Sequence, residues 1–191
     1  MNRRQAKTAG AVASTRLTAD LLMARRAAIL SAWSEAQLRE ELFRPRLISV
    51  EELRRDCCAV LGALLEALGS GTEAEEPPAY QRLCELLGEL SRRWAVQGFP
   101  PAQAAGFLSS LKHSILTFLQ REFAAQPKIL NREVARLGGL LDRLWLISFE
   151  NFVAGREEAV RKHGQELEQR VREVEEEQRK LRLLWRRLVR A

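Results

Sequence analysis

Apolar residues recur at intervals of three and four along most of the chain, which is the pattern of amphipathic helices. The first such stretch runs from about Thr18 to Leu42. A second begins after Ser49, a favourable helix N-cap that is followed by acidic residues in the first turn, and runs to about Leu68. Every periodic stretch predicts helix, so the predicted fold class is all-α.

Glycine and proline divide the middle of the chain. The polar stretch GSGTEAEEPP separates the second helix from a third, which begins near Pro78 and ends at Gly98. Glycine readily adopts the left-handed conformation that ends many helices. Pro101 suits the first position of a fourth helix, which runs to Phe123. We expect Phe99 to enter the core at this corner.

The last helix is predicted to change character along its length. Pro127 interrupts the preceding pattern, and Asn131 is predicted to cap the new helix. Its first part has a broad apolar surface, suited to burial against several helices or a second subunit. Further on, the apolar spacing narrows to alternating fours and threes, the heptad pattern of a coiled coil. The predicted seam comprises Val160, Leu167, Val171, Val174, Gln178, Leu181, Trp185 and Leu188.

The charges that flank this seam favour a parallel homodimer. In register, Arg170 would face the partner's Glu175, and Glu177 would face the partner's Arg182. Each pair is attractive but contributes only about 0.2–1 kcal/mol. Gln178 at a seam position costs stability and helps to fix the register. The alternative is a single amphipathic helix that folds back on its own domain.

Composition adds limits on the partners. The chain has 191 residues, 46% of them hydrophobic, and a net charge of +6 that is concentrated at its two ends. After residue 160, however, ten Lys and Arg are interleaved with six Glu, and no DNA-reading helix-turn-helix is recognisable, so we expect no nucleic-acid partner. No apolar run approaches ~18 residues and no signal peptide is evident, which predicts a cytoplasmic protein without a membrane span.

Candidate chemistry is sparse. The glycines are scattered, and neither a nucleophile–base set nor paired carboxylates stand out, so we expect no catalytic residues. Cys57, Cys58 and Cys84 lack metal-ligand spacing and are predicted to be buried thiols, with a redox role as the alternative. On a helical wheel, His113 lies opposite the apolar face of its helix, which argues against haem. No cofactor or metal is expected.

Two stretches carry a resemblance to a known family. AAILSAWSE and RRWAVQGFPPAQAAGFLSSLKHSIL resemble the N-terminal domain of RsbR-type proteins, the RsbT co-antagonists of bacterial stressosomes. The resemblance extends from about Thr18 to Lys162 and includes Trp33, Arg93 and Gly98. It implies a globin-like helical bundle without haem, dimeric, whose last helix continues as a coil toward an output domain. RsbR-type proteins continue into a STAS domain with phosphorylated threonines, whereas this sequence ends in the coil and has no Ser or Thr after Ser148.

These observations predict three segments. Residues 1–16 form a flexible basic N-terminus, residues 17–160 a globin-like helical sensor domain, and residues 161–191 a coiled-coil signalling helix. The predicted function is a non-enzymatic, dimeric signal-sensing module of a bacterial stress-response or two-component-type regulator. It would pass a packing change through the coil to an output domain or a signalling partner. The alternatives are a structural adaptor that binds a partner through its C-terminal helix, and a haem-binding globin sensor.

Overall fold

The computed structural model describes residues 17–39, 45–70 and 77–188, and these residues form helices and turns without a strand. The helices are α1 (17–24), α2 (Arg26–Arg39), α3 (Val50–Gly69), α4 (Pro78–Val96), α5 (Pro101–Glu122) and α6 (Pro127–Leu188). The all-α class and the long C-terminal helix are therefore confirmed. The predicted basic N-terminus and the predicted end of the first helix at Leu42 lie outside the described residues.

The start of α3 follows from its capping residues, as predicted. The Ser49 hydroxyl accepts a hydrogen bond from the Glu52 backbone N–H at 3.1 Å, and the Ser49 backbone N–H donates to the Glu52 carboxylate at 2.9 Å. This capping box satisfies two backbone donors at a helix end. The hydrogen bond from the Ser49 backbone also lowers the pKa of Glu52 below its usual value.

The corner between α4 and α5 also follows the prediction. Gly98 has a positive φ of 84°, and the Phe99 N–H donates to the Trp94 carbonyl at 3.0 Å, which closes the end of α4. Pro101 is the first residue of α5, where its missing N–H leaves no hydrogen bond unmade. Phe99 is fully buried and stacks on Trp94, with 4.8 Å between the ring centroids.

Two predicted boundaries were wrong. The first stretch is not one helix, because a turn at Arg25 separates α1 from α2. The Arg25 N–H donates a hydrogen bond to the Leu21 carbonyl, and the Ile29 N–H donates to the Arg25 carbonyl. Both bonds have the four-residue spacing of an α-helix, so the interruption is confined to one residue. The last helix begins at Pro127 rather than after Asn131. The Gln126 carbonyl already accepts from the N–H groups of residues 129 and 130, so the first turn closes before Asn131.

Five of the helices form a closed ring around the core. The main packing pairs are α2 with α3, α3 with α4, α4 with α6, α6 with α5, and α5 with α2. Each helix thus packs chiefly against two others, and the buried apolar residues of all five meet inside the ring. The most extensive of these contacts joins α4 to α6.

Small residues allow α4 and α6 to approach closely. A Cβ added at Gly155 would lie 3.1 Å from the Ala95 Cβ and 3.1 Å from the Arg92 Cα, so no side chain fits there without movement. One turn before this point on α4, the buried hydroxyls of Ser91 and Ser148 are 2.8 Å apart and hydrogen-bonded. The glycine therefore has a packing role, because it brings the backbones of the two helices together.

Cys57 lies in the core on α3 with no exposed surface. Burial raises the pKa of its thiol to about 12, because a thiolate would lose its hydration in this apolar surrounding. Cys58 and Cys84 are half-buried, so the prediction of buried thiols is confirmed fully only for Cys57. The Arg26 guanidinium donates to the Cys58 sulfur at 3.3 Å.

Replacing Gly155 tests the α4–α6 contact. Gly155→Val should lower the free energy of unfolding by about 1–3 kcal/mol, because the added carbons meet backbone that has little freedom to move. Gly139→Val is the matched control on the same helix and should cost less stability, since nothing lies within 4 Å of the added Cβ. Chemical denaturation measures both variants. Equal stability of Gly155→Val and the wild type would contradict the packing role.

The cysteines should differ in reactivity. At pH 8, Cys58 and Cys84 should react with a small alkylating reagent in the folded protein, whereas Cys57 should react only after unfolding, because the thiolate is the reactive form. Mass spectrometry of digested protein identifies the modified residue. Modification of Cys57 at the rate of the other two thiols under native conditions would show that the core at α3 opens readily.

Candidate functional site

Helix α6 leaves the ring just after Gly155. Phe152 and Gly155 are its last buried residues, and every described side chain from Val160 onward is exposed. The helix continues without a break to Leu188 and is 62 residues long in total. At 1.5 Å per residue, the part beyond Gly155 projects about 50 Å from the domain.

Local ion pairs support the helix where it emerges. Arg161 donates to the Glu158 carboxylate at 2.7 Å, and the Lys162 ammonium lies 3.4 Å from it. Hydrogen bonding to Arg161 lowers the pKa of Glu158. Pairs at these spacings join successive turns of one helix and stabilise it without tertiary contacts.

The predicted seam lies on the projecting part of α6, and no described part of the domain covers its described members. Its described apolar members are 48–69% exposed, from Val160 to Trp185, and Gln178 is exposed as well. The side chain of Leu188 lies outside the described part. In the structure, therefore, the described part of this helix does not fold back on its own domain. Within the described part of the chain, these apolar side chains have no packing partner.

The flanking charges that were predicted to face a partner are also unpaired within the described chain. Arg170, Glu175, Glu177 and Arg182 take part in none of its ion pairs or side-chain hydrogen bonds. Their neighbours do pair: Gln169 donates to Glu173 at 3.0 Å, and other residues of the helix form pairs one turn apart. The residues beside the seam thus remain available for contacts between chains.

The exposed apolar stripe begins earlier than the sequence indicated. Leu146 and Val153 are exposed on the domain. Val153 lies seven residues before Val160, and Leu146 lies seven residues before Val153. They continue the line of Leu167, Val174 and Leu181 backward, onto the part of α6 that packs against α4 and α5. Periodicity alone missed them, because the broad apolar surface of this part of α6 does not reveal which side the other helices cover.

An aromatic cluster lies inside the ring beside the α4–α5 corner and consists of Trp33, Trp94, Phe99 and Phe107. The ring of Phe107 is 4.7 Å from that of Trp33 and 4.7 Å from that of Trp94. The Trp33 indole N–H donates to the Phe107 carbonyl at 3.0 Å, which joins α2 to α5. Trp145 of α6 donates in the same way to the Ala105 carbonyl at 2.9 Å. The cluster and these two bonds couple α6 to the corner.

Arg93, part of the resemblance, lies at the surface between α3 and α4. Its guanidinium forms an ion pair with the Asp56 carboxylate at 2.5 Å. The two residues border a polar cavity of about 140 Å³, which Glu52, Arg55 and Gln97 also line. The charges in this cavity are mixed and are partly satisfied by the ion pair and by the cap at Ser49. Arg93 accordingly serves to hold α4 against α3.

His113 lies where the helical pattern predicted, away from the apolar face of its helix. His113 is exposed on α5, opposite the buried face of Phe107, Leu111 and Ile115. His163 is exposed on the projecting helix, 3.9 Å from Glu166. Neither imidazole reaches the core.

Within residues 17–39, 45–70 and 77–188, no group of three or more His, Cys, Asp or Glu side chains is arranged to hold a metal ion. No described helix is long and apolar enough to cross a membrane.

Comparison with models of known protein families identifies the family of this chain. Residues 27–167 match the model of the family described as the RsbT co-antagonist protein rsbRD N-terminal domain. No curated protein and no solved structure matches the chain. The matched region begins one residue inside α2, contains α3, α4 and α5, and ends within α6 at Leu167, a residue of the seam. Because the match covers well over half of the sequence and agrees with the all-helical fold, the chain belongs to the RsbRD N-terminal domain family.

Proposed function

We propose that this chain is a dimeric signal-sensing module whose α6 passes changes in domain packing to a partner protein or output domain. Membership of the family indicates a stress-response signalling domain of the RsbR type. The family is one of regulatory domains rather than enzymes. The proposal adds the homodimer, the coiled coil and the route of transmission.

The continuity of α6 is the observation that carries the proposal. One helix contributes to the α4–α6 contact at Ser148 and Gly155 and then projects as an exposed seam. A shift of α6 against α4 would therefore move the seam as well, without an intervening joint. Tightly packed surfaces tend to switch between discrete arrangements rather than deform gradually. A ligand would act by binding one arrangement more tightly than the other.

A second copy of the chain would cover the seam. The exposed apolar line would be removed from water, and Arg170 and Glu177 would gain the partner's Glu175 and Arg182, respectively. Gln178 would meet its own counterpart, and this polar layer would favour one register. Under this proposal, residues 17–160 of each chain form the sensor domain, and residues 161–191 form the coil.

The dimer is tested by changing one seam residue. Val174→Lys should weaken self-association at least about tenfold, because a charge would be placed in the apolar interface. Gln169→Lys adds the same charge on the same helix outside the seam and should leave association unchanged. Sedimentation equilibrium at tens of micromolar measures both. A monomeric wild type would contradict the dimer, and pairing with a different coil-forming protein would then favour the adaptor function.

Transmission is tested by disulfide crosslinking along the coil. Single cysteines are placed at Leu167, Val171 or Val174, in a background without Cys57, Cys58 and Cys84. Gly155→Ala disturbs the α4–α6 contact and should change the relative crosslinking rates at these positions. Gly139→Ala is the control, because it lies on the domain part of the same helix and nothing lies within 4 Å of the added carbon, so it should leave the rates unchanged. Identical patterns in wild type and Gly155→Ala would contradict transmission through α6.

A further inference from the structure

The charges on the projecting part of α6 are separated along its length. All six glutamates after residue 160 lie between Glu166 and Glu177, and no acidic residue follows. The next thirteen residues, 178–190, are called here the basic end. They contain six cationic residues: Arg179, Lys180, Arg182, Arg186, Arg187 and Arg190. The sequence therefore concentrates positive charge in this segment, which the total charge of the chain does not reveal.

The described cations of the basic end have no carboxylate partner within the described chain. Arg179, Lys180, Arg182 and Arg186 are all exposed and belong to none of its ion pairs. Earlier on the same helix, Arg161 and Lys162 are both paired with Glu158. The basic end thus presents cations that an external anion would neutralise.

The basic end also has an apolar face. On a helical wheel at 100° per residue, Leu181, Leu184, Trp185 and Leu188 fall within an arc of about 100°. The basic residues from Arg179 to Arg187 occupy an arc of about 160° on the other side, which also contains Leu183. Leu181 and Trp185 are both more than 60% exposed. In the sequence, Leu184 occupies the heptad position next to the seam, so the apolar face is wider than the a and d positions that form a coiled-coil seam.

We propose that the basic end docks on a membrane surface that contains anionic lipids. Such a surface satisfies both faces: lipid phosphates neutralise the cations, and Leu181 and Trp185 enter the boundary between headgroups and acyl chains. A nucleic acid would neutralise the cations but leave the apolar face in water. Trp185 lies at the edge of the apolar arc toward Arg182, which suits the amphipathic indole to headgroup depth.

Membrane docking and coil pairing use the same apolar residues at Leu181 and Trp185 and therefore exclude one another there. The earlier seam residues Leu167, Val171 and Val174 lie in the acidic half of the helix and remain available for pairing. Docking does not require the homodimer. Sedimentation without vesicles reports on the dimer, and vesicle binding reports on docking, so the two ideas fail separately.

The test uses the full chain with lipid vesicles. Vesicles of phosphatidylglycerol and phosphatidylcholine should pellet the protein at low salt, whereas vesicles of phosphatidylcholine alone should not. Binding should decrease steeply at 0.5 M NaCl, because salt screens the attraction. Trp185 is the most exposed of the described tryptophans, so its emission should shift to the blue on binding, and Trp185→Phe should remove that shift.

Charge variants locate the contact. Lys180→Gln combined with Arg182→Gln should weaken binding to the anionic vesicles about 30-fold. Arg161→Gln combined with Lys162→Gln removes the same charge about 29 Å away on the same helix and should change binding less than about threefold. The proposal is overturned by equal binding to both kinds of vesicle, by equal losses in the two double variants, or by binding to a DNA duplex but not to vesicles.

Discussion

The close contact between α4 and α6, the most extensive in the ring, determines how the other helices can pack. Gly155 admits the Arg92 backbone, and the Ser91–Ser148 hydrogen bond satisfies two buried hydroxyls in the same contact. Residues with larger side chains would separate the helices and open the ring. Because α6 is one continuous helix, this contact also sets the direction in which the exposed seam leaves the domain.

The aromatic cluster extends this constraint across the ring. Trp94 and Phe99 lie on the two sides of Gly98, so the conformation of the corner decides where their stacked rings enter the core. Phe107 packs its ring against Trp94 and Trp33, and its carbonyl accepts from the Trp33 indole. A sharp turn in a chain that is otherwise helical thus serves to hold three helices together.

Features with a local cause could be predicted from the sequence. Ser49 and Gly98 act through bonds or backbone angles within a few residues, so their effects were readable. The boundary at Asn131 was wrong because Pro127 is also a helix-starting residue, and nothing local ranks the two. The exposure of Leu146 and Val153 depends on which side of α6 the distant helices α4 and α5 cover. Likewise, the packing role of Gly155 could not be predicted from the sequence, because it depends on the Arg92 backbone of a different helix.

The spacing of the exposed stripe has a geometric consequence. From Leu146 to Leu181 the apolar residues repeat at intervals of seven, whereas a straight helix needs 7.2 residues for two turns. The stripe therefore drifts by about 20° per repeat, or about 100° over five repeats. Two such helices stay in contact along the stripe only by winding around each other with a left-handed twist. In the proposed dimer, any tightening or loosening of that winding would rotate the two domains relative to each other about the long axis of the pair.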